Sequence, residues 1–101
     1  MSHSVVFRPA AEADLLALYQ YIAAESGAER AIAFVERIEK ACMTLATFPE
    51  RGTRCDDITP GLRTMGFERR VTIAFRVLKE MVEIVAIAYA GRNFESEFDE
   101  D

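Results

Sequence analysis

The feature that most constrains this chain is a change of hydrophobic period partway along it. Apolar residues first recur three or four positions apart, the spacing of one buried helical face. In the first such segment, which begins after Pro9, they are Ala11, Leu15, Leu18 and Ile22. In the second, from about Ala28 to Phe48, they are Ala31, Val35, Ile38, Cys42 and Leu45. Gly27 separates the two segments, so the pattern predicts an antiparallel helical hairpin.

Strand-like segments surround this hairpin. The β-branched and aromatic run from Ser4 to Arg8 predicts an opening strand. After a loop from Glu50 to Pro60, three further strands are predicted, at Leu62–Phe67, Arg70–Leu78 and Val82–Ala90. The second of these alternates apolar and other residues with a period of two, and the third is almost wholly apolar, as in a central strand.

The order of these segments predicts the fold class. It is α+β, a two-layer β-α-α-β-β-β arrangement with the helical hairpin packed on a mostly antiparallel four-stranded sheet. The 101 residues suffice for one domain, which we assign to residues 1–94. Residues 95–101 carry five acidic side chains and no basic one, and they form a separate acidic tail.

Composition restricts the cellular setting and the cofactors. No apolar run approaches the roughly 20 residues that span a bilayer, and residues 1–5 lack the features of a signal peptide. A cytoplasmic protein without membrane contact is therefore expected. Cys42 and Cys55 have no CxxC spacing and His3 is the only histidine, so we expect reduced thiols, no metal and no cofactor.

Charge is unevenly distributed along the chain. The net charge is −5, which argues against sequence-specific nucleic-acid binding. Between Gly61 and Arg92, however, six basic residues face three acidic ones, a local charge of +3. Ten of the twelve basic residues are arginine, whose planar fork suits carboxylates and phosphates. This stretch is either a solvated sheet face with ion pairs or a basic functional surface.

No standard catalytic set can be recognised. A single histidine near the terminus cannot complete a triad, and a glycine-rich phosphate loop is missing. Near the basic stretch, the only acid–base candidates besides arginine are Glu83 and Tyr89. Arginine stays charged, so it stabilises negative charge rather than moving protons.

Several of these runs, taken together in their order, resemble the ParE toxins of the ParE/RelE superfamily. They are Arg8–Leu15, Tyr19–Ala23, Leu45–Gly52 (LATFPERG), Gly61–Arg63, Ile73–Val77 and Val82–Arg92. The resemblance extends over roughly residues 5 to 94 and agrees with the β-α-α-β-β-β pattern. It implies the toxin of a type II toxin–antitoxin system.

The family divides by target, and the residues present favour one branch. RelE-like members are ribosome-dependent mRNA endonucleases with clustered lysines and arginines around the phosphate and a proton-transferring tyrosine or histidine beyond the last strand. Here Phe98 occupies that region, and lysines are found only at positions 40 and 79. ParE-like members instead inhibit DNA gyrase, which requires a binding surface and no active site. A nuclease that uses Tyr89 and a decayed toxin that only binds antitoxin remain as alternatives.

The resemblance also implies which residues make contacts. Arg63 and Arg92 stand at recurrent arginine positions of the family and are expected to bind the target, with weaker support for three further arginines in the same stretch. Those three are Arg69, Arg70 and Arg76. The family implies a cognate antitoxin as partner, whose disordered segment docks beside the helical hairpin near Tyr19 and Tyr21. Opposite charge suggests that the acidic tail covers the arginines.

Overall fold

Two helices cover one face of a five-stranded sheet in the computed structural model, which describes residues 3–89. The elements in chain order are β1 (Ser4–Phe7), α1 (Pro9–Ser26), α2 (Ala28–Met43), a 3-10 turn (Thr44–Ala46), β2 (Thr53–Arg54), β3 (Leu62–Phe67), β4 (Val71–Val77) and β5 (Met81–Tyr89). The predicted α+β class and the helical hairpin are confirmed. None of the helices within residues 3–89 is long and apolar enough to cross a membrane.

The hairpin turns at a single residue. Pro9 occupies the first turn of α1, where its missing N–H costs nothing. Gly27 has φ +101°, and its N–H donates to the carbonyl of Ala23. Its C=O then accepts from Ala31 in α2, so one left-handed residue ends the first helix and starts the second.

The second helix is shorter than predicted. It ends at Met43 rather than near Phe48, and the chain tightens into the 3-10 turn. The hydroxyl of Thr44 donates to the carbonyl of Ala41 at 2.6 Å, which competes with the regular helical hydrogen bonds. The N–H of Thr47 then donates three residues back, to the carbonyl of Thr44.

The sheet order is β1-β5-β4-β3-β2, with β1 parallel to β5 and every other pair antiparallel. A mostly antiparallel sheet was predicted, but the prediction of four strands was wrong. The fifth, β2, is a two-residue edge strand inside the predicted loop Glu50–Pro60. Two residues are too few to show a period, so this strand leaves no pattern in the sequence.

Gly52 allows β2 to approach β3. Its φ is +82°, and a methyl group added there would overlap the carbonyl oxygen of Thr64 and lie 3.1 Å from the carbonyl carbon. Only glycine therefore brings the chain this close to β3. Beyond the strand, the N–H of Cys55 donates to the carbonyl of Leu62 and extends the pairing.

Strand β5 lies in the middle of the sheet, between β1 and β4, and buries both of its faces. The face under the helices forms the main core, which includes Leu18, Ile38 and Phe75. The other face forms a smaller cluster around Leu62 and Val85, partly covered by Cys55 and by Ile58. The structure thus has a thick helical side and a thinly covered open side.

The edge of β5 beyond β1 is held by a helix. Pairing with β1 stops at Phe7, opposite Ile84. Three residues later the N–H of Ile87 donates to the carboxylate of Asp14 on α1, at 2.9 Å. Asp14 is buried, so this bond replaces a missing strand partner and ties α1 to the sheet.

Candidate functional site

The predicted target-binding arginines lie in different parts of the molecule. Arg63 shares a face of β3 with Met65, which packs against the main core, so it lies on the helical side of the sheet. Arg76 lies on the open side of β4. Arg69 and Arg70 lie in the β3–β4 turn, beyond Phe67, which is about 13 Å along β3 from Arg63.

Arg63 lies near two arginines that were not grouped with it in the sequence analysis. Directly opposite it on β2 stands Arg54, and cross-strand partners share a face. The guanidinium of Arg63 donates from Nη1 to the backbone carbonyl of Arg51 at 3.4 Å. Arg51 in turn donates from Nη1 to the hydroxyl of Thr44 at 3.3 Å. We call Arg51, Arg54 and Arg63 the arginine cluster.

One acid moderates the charge of the arginine cluster. Asp56 accepts the N–H of Gly61 at 2.8 Å and the Nε of Arg54 at 3.1 Å. The Gly61 hydrogen bond, and then the charges of Arg54 and Arg63, hold the pKa of Asp56 below its usual value. Arg51 and Arg63 donate only to neutral oxygens within the described part of the chain, so their charges remain available to a partner.

Arg76 is engaged in a separate ion-pair group on the open side. Its Nε lies 3.6 Å from Oε1 of Glu83, and the Nε of Arg8 lies 3.9 Å from Oε2. Oε1 is buried and accepts no hydrogen bond from the described residues, so the two guanidinium groups offset the cost of its charge. The ion-pair interpretation fits Arg76 better than a free binding surface.

Arg69 and Arg70 are exposed and form no ion pair within residues 3–89. The turn that carries them is tight, because Glu68 and Arg69 both have positive φ, +49° and +68°. Arg92 lies outside the described residues. Of the four predicted arginines that the structure describes, only Arg63 therefore belongs to the arginine cluster.

A second candidate surface is an aromatic cleft between the helices and the end of β5. It has a volume of about 510 Å³ and is lined by Tyr21 of α1, Phe34 of α2 and Tyr89 of β5, among others. The ring centres of Tyr21 and Tyr89 are 5.8 Å apart, and those of Phe34 and Tyr89 are 6.3 Å apart. These ring contacts build the aromatic wall of the cleft.

The two tyrosines predicted to contact the antitoxin occupy different faces of α1. Tyr21 lines the aromatic cleft and is 54% exposed. Tyr19 is half-buried and is not among the residues that line the cleft. Residues two positions apart on a helix point in different directions, so one partner segment in the cleft would contact Tyr21 without Tyr19.

Arg37 links the aromatic cleft to the β3–β4 turn. Its Nε and Nη2 donate to the two carboxylate oxygens of Glu68 at 2.9 and 3.0 Å, a bidentate pair. This hydrogen bonding lowers the pKa of Glu68. The guanidinium also lies 5.2 Å from the ring centre of Phe34. Arg30, which lines the same cleft, forms no ion pair with any described residue.

The acid–base candidates do not share a site. Glu83 and Tyr89 are six residues apart on β5, about 20 Å, and Glu83 is held by its ion pairs on the open side. Within residues 3–89, no group of three His, Cys, Asp or Glu side chains could hold a metal. The arrangement supplies binding surfaces: a cationic one at the β2–β3 edge and an aromatic one at the other end of the sheet.

Sequence reasoning missed several residues of both surfaces. Arg51 lies in the run LATFPERG, which carries part of the family resemblance, so that run was a usable signal. Nothing in the sequence indicated Arg54, because it lies opposite Arg63 only through the pairing of β2 with β3, and β2 was not predicted. Phe34 and Arg30 lie beside the predicted buried stripe of α2, and only their packing beside Tyr89 gives them a role.

Comparisons with known proteins are consistent with this geometry. The family model described as the ParE toxin of the type II toxin–antitoxin system parDE matches residues 5–94. A solved structure titled as the chromosomal ParDE TA system from P. aeruginosa superposes with a TM-score of 0.78 at 27% sequence identity. The match covers 89% of this chain and 98% of that one. No curated protein sequence shows significant similarity to the chain.

Proposed function

Because the chain belongs to the ParE toxin family of type II toxin–antitoxin systems, we propose that it stops growth by inhibiting DNA gyrase until a cognate antitoxin neutralises it. The observation that carries the proposal is the arginine cluster, a cationic surface at the β2–β3 edge. Gyrase inhibition requires such a binding surface and no catalytic group. The family membership is the reason for naming gyrase rather than another target.

The arginine cluster is suited to an acidic partner surface. Hydrogen bonds to Thr44 and to a backbone carbonyl orient Arg51 and Arg63 without neutralising them. A guanidinium that is already oriented loses less conformational entropy when it binds a carboxylate or phosphate. Arg54 is paired with Asp56, so we assign it a supporting role.

The RelE-like alternative is less well supported by the contacts. General acid–base cleavage needs a proton-transferring side chain within hydrogen-bond reach of the reacting group. In the described part of the chain, Asp56 is the acid that pairs with the arginine cluster, and it already accepts two hydrogen bonds. Tyr89 lies at the other end of the sheet, against Tyr21 and Phe34. We therefore propose inhibition by binding.

The aromatic cleft is our proposed docking place for the antitoxin. A cleft beside two helices with aromatic walls suits the apolar side chains of an amphipathic segment. Tyr21 and Phe34 would contact that segment directly, and Arg30 would pair with an acidic side chain. Tyr19, on another face of α1, would be reached only by a partner that wraps around the helix.

The test begins with induction of the toxin in bacteria without antitoxin, followed by pulse labelling of DNA and protein synthesis. We expect DNA synthesis to fall first, and purified protein to inhibit supercoiling by gyrase. Protein synthesis falling first would refute the gyrase proposal and support the nuclease. No fall in either would support a decayed toxin.

Variants test the assignment of the surface. Arg51→Glu with Arg63→Glu should abolish inhibition of supercoiling, since it reverses the two charges of the arginine cluster that form no ion pair with a described residue. Arg69→Glu with Arg70→Glu makes the same change of charge at the β3–β4 turn and is the matched control. If both pairs weaken inhibition equally, net charge is responsible and the arginine cluster is not the target-binding surface.

The antitoxin proposal is tested separately, by growth rescue on co-expression with the antitoxin encoded beside the toxin gene. Phe34→Asp should prevent rescue while leaving toxicity intact, because it places a charge in the aromatic cleft away from the arginine cluster. Ile32→Asp, which adds the same charge at an exposed position of α2 outside the cleft, is the control, and circular dichroism must show that both variants fold, since Phe34 is partly buried. Rescue of both variants would refute docking in the cleft.

A further inference from the structure

The aromatic cleft lies where the described chain ends. Tyr89, the last residue of β5, forms part of its wall, so residues 90–101 begin at the cleft itself. That segment reads AGRNFESEFDED, with two phenylalanines and five acids among its last eight residues. Aromatic and acidic side chains are what a cleft with aromatic walls and one free arginine, Arg30, would bind.

The arginines around the cleft supply the complementary charge. Arg30 lines it and forms no ion pair within residues 3–89. Arg69 and Arg70 lie in the β3–β4 turn, which the bidentate pair of Arg37 with Glu68 ties to the cleft wall. Glu25, on α1, also lines the cleft, so the positive side of the cleft is the one formed by α2.

We propose that residues 93–101 of this chain fold back into the aromatic cleft, with Phe94 or Phe98 against the rings of Phe34 and Tyr89 and the acids beside Arg30. Each extended residue spans up to about 3.5 Å, so Phe94 can reach roughly 17 Å from Tyr89 and Phe98 farther. A segment so closely tethered has an effective concentration of the order of millimolar, so weak contacts keep it bound.

One consequence rests on the proposed function. Residues 93–101, when bound in the aromatic cleft, cover the docking place of the antitoxin. The free toxin then exposes less aromatic surface, and the antitoxin binds by displacing the segment. The arginine cluster, at the opposite end of the sheet, stays uncovered. The antitoxin and a second copy of the chain are the competing occupants of the cleft.

Cysteine cross-linking in the full-length chain tests the contact directly. In a Cys55→Ser background, Ser96→Cys is combined with Ala33→Cys, an exposed residue that lines the aromatic cleft. The control combines Ser96→Cys with Thr72→Cys, on the open side of the sheet. Cys42 is buried, and burial raises the pKa of its thiol to about 12, so it does not react.

We expect the Ala33 pair to form an intramolecular disulfide at least about tenfold faster than the Thr72 pair, because docking raises the local thiol concentration. Arg30→Glu or high salt should remove most of that difference. Equal rates for the two pairs would overturn the proposal. Disulfides formed only between molecules, at rates that rise with protein concentration, would overturn it in favour of a second copy.

These outcomes are independent of the target and the antitoxin. The cross-linking measurement uses neither gyrase nor antitoxin, so its failure leaves the proposed function intact. Conversely, a protein that does not inhibit gyrase can still show the intramolecular contact of residues 93–101 with the aromatic cleft. The cross-linked toxin can also be tested for antitoxin binding. Unchanged affinity would refute the competition between residues 93–101 and the antitoxin, but not the contact of residues 93–101 with the cleft.

Discussion

Replacing Gly52 by alanine should detach β2 from the sheet. Alanine at φ +82° costs about 1–2 kcal/mol in backbone strain. Its methyl group would also overlap the carbonyl of Thr64, so the chain must move away from β3 by about 1 Å. That movement breaks about two backbone hydrogen bonds of the β2–β3 pairing, worth about 1–3 kcal/mol together. The expected total loss is about 2–5 kcal/mol.

Gly61 provides a matched control, because it has the same φ of +82° while a methyl group there would contact nothing within 4 Å. Gly61→Ala should therefore cost only the strain, about 1–2 kcal/mol. Urea denaturation followed by circular dichroism measures both variants. Gly52→Ala should unfold at a distinctly lower urea concentration than Gly61→Ala. Equal losses of unfolding free energy would refute the close-approach argument.

Three further results are expected. In Arg37→Ala, the pKa of Glu68 measured by NMR should rise toward its usual value. In the native chain the Arg37–Glu68 pair stabilises the fold at neutral pH, and this stabilisation is lost as the pH falls through the lowered pKa of Glu68. A thiol reagent should modify Cys55 and spare Cys42 in the native protein, whereas equal labelling would contradict the burial of Cys42. Phe75→Ala should lower the free energy of unfolding by about 3–5 kcal/mol in chemical denaturation, because Phe75 is fully buried under the helices.

Much of the fold could be predicted because its long elements carry a clear period. The strand that includes Phe75 and the helix that includes Ile38 each repeat their apolar residues over several turns or pleats. Strand β2 could not be predicted, because its two residues are placed by the fit of Gly52 against Thr64. The early end of α2 depends on one side-chain hydrogen bond from Thr44, which competes with helical propensity.

The candidate site could be predicted only in part, because position along a strand does not determine which partners are near. The basic stretch from Gly61 to Arg92 reads as one surface in the sequence. Strand alternation places Arg63 and Arg76 on opposite sides of the sheet, and the length of β3 separates Arg63 from Arg69. Arg51 joins Arg63 through the backbone, a contact that sequence spacing alone does not reveal.

The parallel pairing of β1 with β5 has a consequence for synthesis of the protein. Ser4 pairs beside Met81, so the first strand has no partner until almost all of the described chain has been made. Contacts between residues so distant in sequence form slowly, because a long loop must close first. The helical hairpin is complete much earlier, but its core-facing residues stay uncovered until β4 and β5 arrive. The toxin therefore acquires its fold near the end of translation, and a chain that stops before β5 has neither the finished sheet nor the aromatic cleft.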